Sequence, residues 1–162
     1  MCDYSLMAVP NRLAQEGEEL VTHRFPTGSL GLASPADLAR AATAAAPARK
    51  TFFSMLKEFF NPPVACAVPA VCIPPGARLQ VREIPQRLQQ GLAVGPTEEV
   101  TFTQLSAAAN TYRDALHFCN GRDVRLQELR EGMPVVVLDL SCAEELDLEA
   151  LRFEREPMMR VR

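Results

Sequence analysis

Between Glu18 and Phe25 the side chains alternate, with Val21, His23 and Phe25 on one side and Leu20, Thr22 and Arg24 on the other. That period of two is the mark of a half-buried strand. Pro26, Gly28 and Gly31 break it. Ser34, Pro35, Ala36 and Asp37 then supply an N-cap hydroxyl, a proline at the first helical position and a carboxylate three residues after the cap. The pattern predicts an alanine-rich helix from about Pro35 to Ala45, bounded by Pro47. The next run, Ala48 to Phe60, sets Phe52, Phe53, Met55, Leu56, Phe59 and Phe60 at helical spacing against a narrow polar side of Lys50, Lys57 and Glu58. Asn61, Pro62 and Pro63 stop it. Such a helix can plug the core of its own sheet, dock on another subunit as an aromatic interface core does, or lie on a membrane surface, for which Arg49 and the two lysines are a meagre cationic face.

From Val64 onward the period changes toward strands. Ile73, Pro74, Pro75 and Gly76 form a turn feeding Leu79, Val81 and Ile84, and a short helical turn follows near Pro85 to Leu92. Glu99 to Leu105 is a further strand, with Val100 and Phe102 on one face. The sharpest local signal is Arg113 to Leu129, two apolar runs flanking Asn120 and Gly121, which reads as a β-hairpin. Two registers compete. A two-residue loop would bring His117 opposite Val124 and into the core. A type I turn over Cys119, Asn120 and Gly121 with a glycine bulge would set Phe118 against Arg122 and Leu116 against Val124, turning His117 outward beside Asp123. Burial of Leu116 and Phe118 is worth about 1.5–3 kcal/mol each, so the bulged register is expected. Leu129, Arg130, Glu131 and Gly132 then turn into a buried strand at Val135 to Leu138. A capping box at Ser141 and Glu144 predicts a last helix to about Arg155, packing through Leu146, Ala150 and Phe153. Its acids precede its bases, which suits the helix dipole.

A chain of 162 residues is the size of one domain. These elements predict an α+β fold: a small, mainly antiparallel β-barrel or curved sheet with a helical insertion at about 35–60 and a C-terminal helix. No apolar run reaches the ~20 residues of a membrane span, and the N-terminus lacks the basic and apolar regions of a secretory signal. The expected compartment is the cytoplasm, with reduced cysteines at positions 2, 66, 72, 119 and 142. The net charge of −3 is spread without a basic stripe, which argues against DNA or RNA as partner.

Chemistry is sparse in the chain. Removal of Met1 would give Cys2 both a thiol and a free amine, the pair used by N-terminal nucleophiles or by a metal chelate. The plainer role of Cys2 is a small apolar anchor. Thiolate and imidazole are ligands of zinc, copper or iron, and Cys2, Cys72 and His23 form the candidate metal set, with Cys66 or His117 as a fourth ligand. Cys66 and Cys72 have five residues between them, Pro69 included, unlike the spacing of zinc ribbons. His23 also suits the edge of a core, bonded to a backbone carbonyl. The sequence holds no glycine-rich phosphate loop, no nucleophile elbow and no helix with two histidines four apart. Cys119, at the hairpin tip, reads as incidental.

The opening Met1-Cys2-Asp3-Tyr4-Ser5-Leu6, with Val71 to Leu79 and Tyr112 to Leu129, resembles small bacterial proteins that begin in the same way and carry no assigned activity. The resemblance covers about a third of the chain and implies a bacterial, cytoplasmic origin. Thr51 to Phe60 is not part of it. With no legible active site, the expected function is non-enzymatic: an accessory or assembly protein that docks a partner subunit, or a second copy of itself, through Phe52, Phe53, Leu56 and Phe59. The alternative is a cysteine and histidine site for a transition metal or thiol chemistry.

Overall fold

The computed structural model describes residue 6 and residues 8–45, 67–106 and 111–141. Strands dominate them: β1 (Asn11–Leu13), β2 (Glu19–Arg24), β3 (Leu30–Ala33), β4 (Ala70–Cys72), β5 (Arg78–Val81), β6 (Glu98–Gln104), β7 (Asp114–Phe118), β8 (Asp123–Arg125) and β9 (Pro134–Asp139). Two helices, α1 (Pro35–Ala45) and α2 (Gln86–Leu92), and a 3-10 turn at Leu126–Glu128 complete them. Seven strands form one sheet in the order β3-β2-β9-β5-β6-β7-β8, and β1 and β4 make a separate two-stranded sheet. Every pairing in the large sheet is antiparallel, whereas β1 and β4 run parallel.

Alternation builds the core. Leu20 and Thr22, Leu30 and Leu32, Val135 and Val137, Leu79 and Val81, Val100 and Phe102, and Leu116 and Phe118 are buried two residues apart on their strands. The apolar members join Ala77, Val124, Leu126 and Met133 in one cluster, and Leu88 and Leu92 of α2 pack against it. The intervening positions, among them Gln80, Thr101 and His117, form a polar outer face. A smaller cluster of Leu6, Phe25, Ala33 and Ala70 lies beside the main core, with Leu38 and Val68 packed on it.

The expected α+β fold, a small barrel or curved sheet with helices, is corrected: the described residues are mainly β, and their seven-stranded sheet does not close into a barrel. The reason is visible at the ends. β8 spans only three residues before the chain turns into the 3-10 segment, so no ladder reaches the free edge of β3. A side chain takes its place: the Gln127 carboxamide accepts from Leu30 N–H at 2.8 Å and donates to the Leu30 carbonyl at 2.7 Å. Two elements absent from the reading of the sequence, β1 and β3, also appear here. The glycine-bearing stretch after Phe25 is a hairpin turn, closed by Phe25 N–H to Ser29 O at 2.9 Å. The helices expected over 48–60 and after Ser141 lie outside the described residues.

Helix α1 is seated as the sequence predicts, with the Ala36 N–H on Ser34 Oγ at 3.3 Å. Its buried Asp37 accepts an ion pair from Arg40 and stands 3.7 Å from Arg12 of β1. The Arg12 guanidinium forks across the Glu18 carboxylate, bonding one oxygen at 3.1 Å, and the Gln15 N–H adds a bond of 3.1 Å. The Arg12 fork, helped by that N–H, holds Glu18 below the usual carboxylate range, and Glu18 in turn raises Arg12. A carboxylate lowered in the folded state contributes stability that is present above its unfolded value of about 4.3 and lost as pH falls through the folded one. Glu18→Gln is therefore expected to cost on the order of 1 kcal/mol at neutral pH and progressively less as pH falls below about 4, as read by urea denaturation across that range. A cost that does not fall with pH would show that the charge is not what matters.

Candidate functional site

The outer face of β5 to β8 carries a polar row written by register. Arg78 pairs with Thr101, Thr101 with His117, and His117 with Asp123, so these four side chains cross the sheet in line. One step along, Gln80 pairs with Glu99. The pairing of Val100 with Phe118, carried one residue beyond β7, sets Cys119 opposite Glu99. Arg78, Glu99, Thr101, His117 and Cys119 line an open cleft of about 370 Å³, with Glu98 and Val100 at its edge.

The hairpin that presents this site has the expected bulged register. Leu116 faces Val124, Phe118 N–H bonds Arg122 O at 2.9 Å, Gly121 N–H bonds Phe118 O at 2.9 Å, and Gly121 takes the left-handed φ of 79° that the bulge requires. His117 consequently faces outward, half exposed, with Nδ1 2.7 Å from the Asp123 carboxylate. The hairpin tip is braced from the other side by α2. Asn120 donates to Leu92 O at 2.6 Å and the Arg122 guanidinium donates to Gly91 O, so both cover carbonyls that the helix end leaves unpaired. Cys119 is a free, exposed thiol immediately before the first of these anchors.

Charges in the cleft are mostly committed to one another. Arg78 Nε donates to Glu99 at 2.7 Å, and its Nη1 lies 3.8 Å from Asp139. The Ser141 hydroxyl and N–H donate to Asp139 at 2.6 and 2.8 Å, and these bonds, with Arg78, hold that carboxyl below its ordinary value.

Of the residues expected to gather around a metal, His23 and Cys72 are described, and neither lines this cleft. His23 stands on β2 with Nδ1 3.2 Å from Glu131 and its ring edge-on to Phe25 at 5.0 Å. Its partner is thus a carboxylate. Cys72 sits on β4, opposite Leu13 in the two-stranded sheet. The expectation that all the thiols are free is corrected there, because Cys72 is disulfide-bonded, and a disulfide sulfur has no thiolate to give a metal. Cys2 lies outside the described residues, as do Cys66, Phe52, Phe53, Leu56 and Phe59. Among the described residues no three His, Cys, Asp or Glu side chains already converge as a metal site. No described helix is long and apolar enough to cross a membrane. Reasoning from sequence placed His117 beside Asp123 but passed over Arg78, Glu99 and Cys119 as their neighbours; the His-x-Cys spacing on a strand end was the available signal, since residues two apart share a face. No family model matches the chain, no curated protein matches it, and no solved structure matches it.

Proposed function

We propose that the protein is an accessory or assembly protein that docks a protein partner, a second subunit or another copy of itself, through the segment bearing Phe52, Phe53, Leu56 and Phe59. One observation supports the reading most. The chain leaves the described residues at the end of α1 and returns just before β4, and Leu38 of α1, Val68 and Ala70 all pack in the one small cluster around Leu6, Phe25 and Ala33. A segment that follows a helix seated on that cluster by its first turn, and returns directly into the same cluster, has one fixed end, which lowers the ordering cost of docking. Size-exclusion chromatography with light scattering, joined to a pull-down from the native host, tests it. The wild type should run as a dimer or retain one stoichiometric partner, and Phe52→Ser with Phe59→Ser should abolish this while leaving the folded circular dichroism intact. A wild type that stays monomeric and retains nothing would refute it.

A second reading, a cysteine and histidine site for a transition metal or thiol chemistry, is favoured by one feature: the cleft places a free thiol and a carboxylate-oriented imidazole side by side.

A further inference from the structure

We infer that the cleft on the outer face of β6 and β7 is a binding site for a borderline-soft divalent metal ion of the zinc type, with Cys119 and His117 as its fixed ligands and Glu99 as the third. The inference rests on the second reading above and moves it from the set of Cys2, Cys72 and His23 to this cleft.

Three observations carry it. First, His117 and Cys119 are two apart at the end of β7, so their side chains leave the same face, and both line the cleft with Glu99, which the register sets opposite Cys119. Second, Asp123 takes the Nδ1 position of His117 at 2.7 Å. A histidine that donates one ring N–H to a carboxylate presents the other nitrogen as a lone pair, and this carboxylate–imidazole arrangement is the usual outer support of a metal-bound histidine. Third, the hairpin tip is held by Asn120 and Arg122 against α2, which fixes the backbone that carries Cys119 beside His117 before any ion arrives.

The third ligand has to turn. Glu99 now accepts from Arg78, and no three donors yet converge. Rotation of the exposed Glu99 side chain toward Cys119 would leave Arg78 with its second carboxylate, Asp139. The Cys119 proton goes to solvent on binding, and water completes a tetrahedron around the ion. Glu99, Asp123 and Asp139 outnumber Arg78 around the cleft, a balance that attracts a cation.

Cobalt(II) is the probe, because a thiolate ligand gives it an intense near-ultraviolet charge-transfer band that oxygen and nitrogen ligands do not. Added to the full chain, it should produce this band at one equivalent, and Zn²⁺ should remove it. Cys119→Ser should abolish the band, His117→Gln should weaken cobalt affinity at least 10-fold, and Asp123→Asn should weaken it about 10–100-fold with the band retained, as loss of an outer-shell partner does. All three positions are exposed on the surface, and circular dichroism checks that the variants remain folded. No band in the wild type overturns the inference. A band that survives Cys119→Ser but is lost in Cys2→Ser also overturns it, while leaving the broader reading of a cysteine and histidine metal site standing.

Discussion

Replacing Gln127 with leucine is expected to lower the unfolding free energy by about 2–4 kcal/mol, seen as a lower urea midpoint at unchanged slope. The two molecules differ by an amide and retain nearly the same volume, so packing is not what changes. What changes is the edge of β3. Leu30 is 1% exposed, and both its N–H and its carbonyl bond only the Gln127 carboxamide on the side away from β2. A buried backbone group without a partner costs about 1–3 kcal/mol, and leucine orphans two at once. Gln127 is itself partly buried, so water reaching the seam keeps the loss below the full sum. The seam has a second consequence. An unpaired β3 edge is a template for another chain's strand, so the variant should also aggregate sooner on warming. Unchanged stability in Gln127→Leu would mean that the two ends of the sheet are held by their apolar contacts alone.

This seam also marks the boundary of what the amino-acid order reveals. Local rules worked where one residue and its near neighbours settle the matter. The α1 cap at Ser34 and the bulge at Gly121 are satisfied within a few positions, and the outward turn of His117 followed directly from the bulge. Long-range pairing was another matter. Gln127 sits 97 residues from Leu30, and in sequence it is one more polar residue in a polar turn, so an open sheet with a stitched edge could not be told from a barrel. β3 was lost for a different reason: Gly31 reads as a breaker, yet it is buried where an added Cβ would come within 2.6 Å of Leu6 and 3.0 Å of Phe25. The candidate site divides in the same way. His117 and Asp123 were legible because one hairpin holds both. Arg78 and Glu99 reach them only across the β5-β6-β7 register, and nothing local encodes that neighbourhood.

Thr22→Val should be as costly as the loss of Gln127, again about 2–4 kcal/mol, although the substitution is isosteric and makes a core position more apolar. Thr22 is 1% exposed on the inner face of β2. Its hydroxyl donates to Arg130 O at 2.7 Å and accepts from Met133 N–H at 2.8 Å, while its own N–H and carbonyl bond Met133 O at 3.0 Å and Gly132 N–H at 2.7 Å. One residue thus clamps the turn that launches β9, the strand lying between β2 and β5. Gly132 takes a left-handed φ of 83° in that turn, so the hydroxyl secures a backbone shape that most residues resist. Valine supplies the missing methyl but orphans the Arg130 carbonyl and the Met133 N–H, and hydrophobic burial of one methyl, about 1 kcal/mol, does not offset two lost partners. Thr22→Ser is the control. It retains both hydrogen bonds and gives up only the methyl, so it should retain most of the stability and slow amide exchange at Met133, whereas valine should speed that exchange. Equal denaturation midpoints for the serine and valine variants would show that β9 is set by its ladder to β2 and β5 and not by the threonine hydroxyl.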